Sequence, residues 1–306
     1  MPKIGFASYC CVNFAQYLHV LVDGKYLLMD NLYKSFYKNT YLFILGLYWP
    51  NKNIWKSINC KKGILLFTGT DLLQLSKMEE SNRNNLLNIL KRKNIIFSSE
   101  APVIQEKIKK DFNLNTDVIY LPSAFNKPYS NFSFPEKDPI PLPKNKFNIG
   151  CYFPVGEKHR EHYNYNLILS VAKKSPDMNF HFYGLNGCPP ISEGENEGCD
   201  NIIYYKNTID DLPSFISKMN CGLRITIHDT YCMGGIEYNL AGRWFVNNHE
   251  MPYCDKTPLN SNENDIINIL QEIKNREICN IDGMNYYKKN HSVENFNLRI
   301  KELLEL

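Results

Sequence analysis

The sequence has no CxxC pair, no cluster of histidines with cysteines, no strong charge of either sign and no apolar run long enough to cross a bilayer. Each absence excludes something. The ten cysteines, at 10, 11, 60, 151, 188, 199, 221, 232, 254 and 279, lack zinc-ligand spacing, so neither a zinc centre nor a dithiol redox site is expected. They read as reduced thiols, with Cys10 and Cys151 in apolar surroundings that suit a core. His159 and His162 stand three apart, yet no third ligand of matching context lies near them, so no metal is expected. A net charge of +3, from Lys+Arg 35 against Asp+Glu 32, demands neither nucleic acid nor a membrane surface as partner. The longest apolar run, 41–49, falls short of the roughly 20 residues of a membrane helix and reads as a buried strand. No basic stretch followed by an apolar one opens the chain, so no secretory signal is expected. Nothing marks a surface for a dedicated protein partner. A soluble, cytoplasmic protein is the expectation.

What is present is an ordinary globular composition, 43% hydrophobic and 22% charged, in 306 residues. That length can bury a sizeable core and suits two domains of about 150 residues each. Short apolar runs at 3–7, 41–47, 63–67, 94–98 and 117–121 read as strands, and 14–22 and 86–93 have helical spacing. Prolines at 135, 139, 141 and 143 crowd the segment 134–146. It reads as an inter-domain linker, because proline at that density continues neither helix nor sheet. The alternation restarts with strands at 147–153, 179–183, 201–205, 221–227 and 243–246 and a helix at 164–174, while 184–200 is a surface loop. Ser292 can cap a last helix with Phe296, Ile300 and Leu303 on one face. Strands alternating with helices predict an α/β fold. Two Rossmann-like parallel-sheet domains, 1–143 and 144–290, would face a cleft, with 291–306 a helix that packs back on the first.

The segment 221–246, CGLRITIHDTYCMGGIEYNLAGRWFV, carries the most chemistry. Its strand sets Arg224 and Thr226 in alternation with Leu223, Ile225 and Ile227, giving one polar face. His228 and Asp229 follow beyond the strand's carboxyl end, the usual ligand edge of a parallel sheet. Gly234 and Gly235 then open a helix that holds Glu237 in its first turn, eight positions after Asp229. Glycine lets a backbone approach phosphate, a helix start offers free N–H groups, and carboxylates accept from sugar hydroxyls. Taken singly, Asp229 is equally a turn residue and Glu237 a partner of the helix dipole, worth about 0.3–1 kcal/mol. Together they suit an anionic ligand that carries sugar hydroxyls. Earlier in the chain FTGTD ends a strand at 67–71, where Thr70 and Asp71 reach an acceptor, Asp71 reaches the donor, or Asp71 caps the next helix. The basic runs at 91–93 and 107–110 read as solvated helix faces, and most of the 13% aromatic residues as core or half-buried surface.

Asp229-x7-Glu237, followed by Tyr-Asn-Leu-Ala-Gly-Arg and an apolar strand, resembles the E-x7-E donor motif of retaining glycosyltransferases of the GT-B fold. The resemblance implies transfer of a sugar from a nucleoside diphosphate sugar, most simply a UDP-sugar, to an acceptor hydroxyl. It also implies retention of configuration, with no obligatory metal or other cofactor. Asp229 would lie against the donor sugar with His228 beside it, and Arg224 would brace that loop by an ion pair. Glu237 would hold the ribose hydroxyls, and the Gly234-Gly235 backbone the diphosphate. CYFPVGEKHR, 151–160, takes the place of the family's basic loop, so Lys158 and Arg160 are expected to meet the diphosphate. Ser98, Ser99 and Glu100 would sit at the cleft edge. The chain departs from the pattern twice: its first acid is Asp, one methylene shorter than Glu, and its turn at 7–11 has no glycine. The acceptor implied is a glycan or a hydroxylated nucleobase in DNA, as for viral enzymes of this build. A nucleotide-sugar-binding module without turnover and an epimerase of the same fold are the alternatives.

Overall fold

A computed structural model describes residues 4–8, 25–26, 40–47, 58, 60–122, 139, 141–144, 146–154, 157–184, 199–205, 209, 211–229 and 231–306. The chain forms two compact units, one of Met1–Ala124 with Asn290–Leu306 and one of Phe125–Lys289. The helix expected at 14–22, residues 9–11 of the first turn, the insertion at 185–198 and most of the proline-rich segment lie outside the described residues.

The first unit is a parallel sheet in the order β2-β1-β3-β4-β5-β6. Its strands are β1 (Ile4–Ser8), β2 (Lys25–Tyr26), β3 (Tyr41–Leu45), β4 (Lys62–Phe67), β5 (Ile95–Ser99) and β6 (Asp117–Val118). YLFIL in β3 and KGILLF in β4 are almost wholly apolar because both faces of a central parallel strand are covered. Helices α1 (Gly69–Lys77), α2 (Glu80–Arg92) and α3 (Pro102–Phe112) connect the later strands. α2 begins at Glu80 rather than at 86, since ESNRNN has no apolar residue for a periodicity to register. Pro102 opens α3 where a missing N–H goes unnoticed, and Asn113 closes it in the left-handed region at φ 49°.

The second unit repeats the plan with the strand order β12-β11-β10-β7-β8-β9, again all parallel. Its strands are β7 (Phe147–Tyr152), β8 (Met178–Tyr183), β9 (Ile202–Tyr204), β10 (Cys221–Arg224), β11 (Trp244–Asn247) and β12 (Asp255–Lys256). Its helices are α4 (Glu157–His162), α5 (Tyr165–Lys174), α6 (Leu212–Ser217), α7 (Met233–Leu240), α8 (Glu263–Arg276) and α9 (Ile281–Asn290). Ile149, Phe180, Leu223 and Val246 from the strands share a core with Ile168 and Val171 of α5 and Ile266 and Leu270 of α8. The described part of the proline-rich segment belongs to this unit, where Pro141 O accepts from Arg243 Nη2 at 3.2 Å and Pro143 O from Asn220 Nδ2 at 3.3 Å.

β10 stops at Arg224, not at 227, because its partner changes there. The buried Asn248 side chain replaces a strand ladder: its Nδ2 donates to Thr226 O at 2.7 Å and its Oδ1 accepts from Thr226 N–H at 3.0 Å. Thr226 is therefore only 1% exposed rather than on an open polar face, and Ile227, at 63%, turns outward. Removing both bonds would strand a buried N–H and C=O. Asn248→Ala is accordingly expected to cost about 2 kcal/mol, read as a lowered midpoint in urea; an unchanged midpoint would show that the strand end holds without it.

The last helix, α10 (Val293–Leu304), packs in the first unit. Ser292 Oγ accepts from Asn295 N–H at 3.0 Å and caps it. Phe296, Ile300 and Leu304, spaced by four, are buried with Phe6, Phe43 and Ile64. Leu304 takes the third core position expected of Leu303, which is only partly buried. Each such side chain contributes roughly 1.5–3 kcal/mol on full burial, and Arg299 Nη2 adds a 2.7 Å bond to Asp117.

Candidate functional site

β7 and β10 are neighbours at the centre of the second sheet, and the strand order reverses there: the chain runs outward from β7 to β8 and β9 on one side and from β10 to β11 and β12 on the other. Loops leaving the carboxyl ends of two such strands diverge and leave a crevice between them. A cavity of about 380 Å³ lies here. Tyr152, Tyr183, Ile209 and Leu212 give it aromatic and aliphatic lining; Arg224, Asp229 and Glu237 give it charge; Gly234 brings a bare stretch of backbone.

α7 starts at Met233, with Cys232 as its cap, so Glu237 stands in the second turn rather than the first. The two glycines do different jobs. A Cβ on Gly235 would come within 2.8 Å of Met251 Cε and 3.2 Å of Phe245 Cδ1, so this residue must be bare for the helix to seat on its neighbours. A Cβ on Gly234 would meet nothing closer than 3.5 Å, and Gly234 lines the cavity. The first-turn N–H groups of α7 have no carbonyl earlier in the helix to bond, which leaves positive ends at the cavity side of Gly234. The words that follow Glu237 in sequence are structural. Asn239 Nδ2 donates to Gly235 O at 2.7 Å, and its Oδ1 accepts from Asn280 Nδ2 at 2.8 Å. Gly242 sits at φ +69°, where a Cβ would press on Pro139.

Charge in the cavity is partly compensated. Arg224 Nε donates to Asp229 Oδ2 at 2.6 Å, and its guanidinium lies 4.7 Å from the centre of the Tyr163 ring. Ile227 N–H bonds His162 O at 2.9 Å, so the loop that carries Asp229 is pinned on both sides. Burial in the cavity wall pushes Glu237 up to about 8, against the opposing pull of Arg224. Among the described residues its carboxyl group has no hydrogen-bonding partner. Burial also pushes Cys232 up to about 11 and Tyr152 up to about 12, so both are neutral near pH 7. The described residues contain no group of three His, Cys, Asp or Glu able to hold a metal ion, and no helix of theirs is long and apolar enough to cross a membrane.

The structure thus brings Arg224, Asp229, Gly234 and Glu237 into one wall, with Gly235 behind it. His228 is half-buried beside Asp229 and is not part of the cavity lining. Arg160 lies over the Tyr165 ring, 4.9 Å from its centre, outside the lining. Lys158 is on α4, and its side chain is outside the described residues, as is that of Thr70 in the first turn of α1. In the first unit Asp71 is 2% exposed, and its carboxylate accepts from Leu47 N–H at 2.6 Å, Thr68 N–H at 2.7 Å and the Thr68 hydroxyl at 2.9 Å. Ser98, Ser99 and Glu100 are buried at the end of β5. Tyr152, Tyr163 and Asn248 had no sequence signal strong enough to single them out, because each acts through a partner far away in the chain.

No family model matches the chain, and no curated protein matches it. Solved structures do. HepE of Anabaena, determined with UDP and glucose, superposes with a TM-score of 0.68 over 100% of both chains at 10% identity. The lipopolysaccharide outer core galactosyltransferase WaaB superposes at 0.56 over 99% of this chain and 100% of its own at 11% identity. TarM superposes at 0.59 over 96% of this chain but 58% of its own length, at 14% identity. The likeness establishes the fold: two α/β units, each with a parallel sheet, as in GT-B glycosyltransferases.

Proposed function

We propose that the chain is a glycosyltransferase that moves a sugar from a nucleoside diphosphate sugar, in the first instance a UDP-sugar, to an acceptor hydroxyl with retention of anomeric configuration. The observation that carries this reading is the shared cavity, in which Arg224, Asp229, Gly234 and Glu237 line one space at the switch point of a glycosyltransferase fold. Glu237 holds the ribose hydroxyls, Asp229 with His228 beside it orients the donor sugar, and the first turn of α7 meets the diphosphate. Lys158, on the helix that follows β7, adds positive charge toward the same group. The bond from the anomeric carbon to the diphosphate oxygen breaks as the acceptor oxygen bonds to that carbon on the same face. The acceptor proton passes to the departing phosphate, so no side-chain base is assigned. Fixed donors aimed at a developing oxyanion are each worth about 10²–10³-fold in rate.

Thr70 and Asp71 are assigned to the acceptor side, Asp71 as the fixed part because backbone N–H groups hold it. The acceptor is a glycan or a hydroxylated nucleobase, the setting is cytoplasmic (a host cell's for a viral enzyme), and no cofactor beyond the donor is needed. A thermal-shift panel of UDP-, GDP-, ADP- and dTDP-sugars tests the donor class, because ligand at 100 times its Kd stabilises by about 2.7 kcal/mol. Asp229→Asn, whose amide oxygen can still accept from Arg224 Nε, is expected to lower turnover about 10²-fold while nucleotide affinity changes less than about threefold. Wild-type turnover in that variant would end its role. The ion pair on Asp229 favours one second reading, a binding module without turnover. Nucleoside diphosphate released only when acceptor is present separates the enzyme from it.

A further inference from the structure

We infer that Arg224 is the side chain that grips the donor diphosphate, with Asp229 and Tyr163 holding its guanidinium in place. Arg224 closes β10 at the carboxyl edge of the sheet, lines the cavity and keeps 18% of its side chain exposed. Two of its three surfaces are occupied: Nε donates to Asp229 Oδ2 at 2.6 Å, and a face stacks on Tyr163 at 4.7 Å. Arg224 also shares a side-chain hydrogen bond with Tyr163, and the guanidinium N–H groups beyond these two partners remain for a ligand. Other ion-paired arginines of this chain commit those groups. Arg276 donates from Nη1 and Nη2 to Asp255 at 3.0 and 2.7 Å, and Arg299 donates from Nη1 to Glu302 and from Nη2 to Asp117. Arg224 makes no hydrogen bond from either amino group to a carboxylate among the described residues.

A guanidinium fixed at Nε and on its face is a fork already aimed, which matches phosphate oxygens two at a time and loses little entropy on binding. The same cavity contains Gly234 in the first turn of α7, so side-chain fork and backbone N–H groups converge on one anion. The cavity also suits a dianion electrostatically. Asp229 is neutralised by its pairing, and Glu237 keeps its proton near pH 7. Arg160, in contrast, is over Tyr165 and outside the lining. On this view the chain's departure at the first acid of its motif has a use: the shorter Asp229 is the arm that orients Arg224.

The assignment rests on the nucleotide-sugar reading above, and one experiment separates the two. UDP, GDP, ADP and dTDP are titrated by calorimetry, and the matching nucleosides by ligand-observed NMR, against wild type, Arg224→Lys and Arg224→Gln. Because the glutamine variant strands the Asp229 carboxylate, Arg224→Gln with Asp229→Asn is measured beside it. The expected result is a ten- to hundred-fold loss of diphosphate affinity in both glutamine variants, partial recovery with lysine, and nucleoside affinity within about twofold of wild type. Equal losses for nucleoside and diphosphate, or no loss for either, would overturn the assignment. Wild type that binds none of the four diphosphates would overturn the nucleotide-sugar reading itself.

Discussion

Glu237→Gln is expected to raise the melting temperature of the protein and, in the same molecule, to lower its affinity for nucleoside diphosphate about ten-fold or more. The two effects have one cause. Glu237 is buried in the cavity wall, and loss of solvent pushes it up to about 8 from an ordinary 4.5 against the pull of Arg224. The folded chain therefore holds a proton that the unfolded chain releases as pH passes 4.5. Stability is lost as pH rises from about 4.5 to about 8 and is level beyond, because there the folded state also carries the charge. Glutamine has no such proton. The variant should match wild type near pH 4 and exceed it increasingly up to pH 8, by on the order of 2 kcal/mol once the solvent that reaches the cavity is allowed for, or several degrees in Tm. Calorimetric scans at pH 4, 6 and 8.5, with and without UDP, check both halves. A pH-independent difference would remove the buried-acid account, and unchanged nucleotide affinity would remove the ribose assignment.

Arg243→Ala is expected to destabilise the second unit by about 3–5 kcal/mol and to leave the nucleotide affinity of the molecules that remain folded unchanged. Arg243 is 0% exposed, and burial pulls it below the usual arginine range. Its Nη2 donates to Ser217 O at 2.5 Å and Pro141 O at 3.2 Å. Ser217 is the last residue of α6, whose closing carbonyls have no partner inside the helix. The guanidinium therefore ties a helix end to the proline-rich segment in a place water does not reach. Truncation leaves a void and buried carbonyls unsatisfied. Arg243→Lys keeps the charge but not the fork and should fall between the two. A urea melt gives the stability, and a UDP titration at low denaturant the affinity. A large loss of affinity at unchanged stability would instead give Arg243 a part in nucleotide binding.

The order of strands and helices was legible because the signal is local. Runs such as 41–47, 63–67 and 147–153 alternate with helical spacing, and Ser292 marks the start of the last helix through its own side chain. A sheet buried on both faces writes itself into consecutive apolar residues. The spacing of Asp229 and Glu237 around two glycines was likewise on the surface of the sequence. The sequence by itself therefore determined an α/β chain with parallel sheets and pointed to the acids that line the cavity at the switch point of its second sheet.

Only the tertiary structure decided what those residues touch. β10 ends at Arg224 because the Asn248 side chain takes over the backbone of Thr226 beyond it. Gly235 rather than Gly234 is the glycine that packing requires, because Met251 and Phe245 lie over it. Asp71 is held by the backbone of Leu47, and Arg243 answers carbonyls at 141 and 217. Arg224 is aimed by Tyr163, a residue no periodicity singles out. Such contacts join positions far apart in the chain, and their geometry follows from how helices seat on sheets. Local propensity sets which elements form; side-chain shape and the pairing of buried polar groups set which atoms face the cavity.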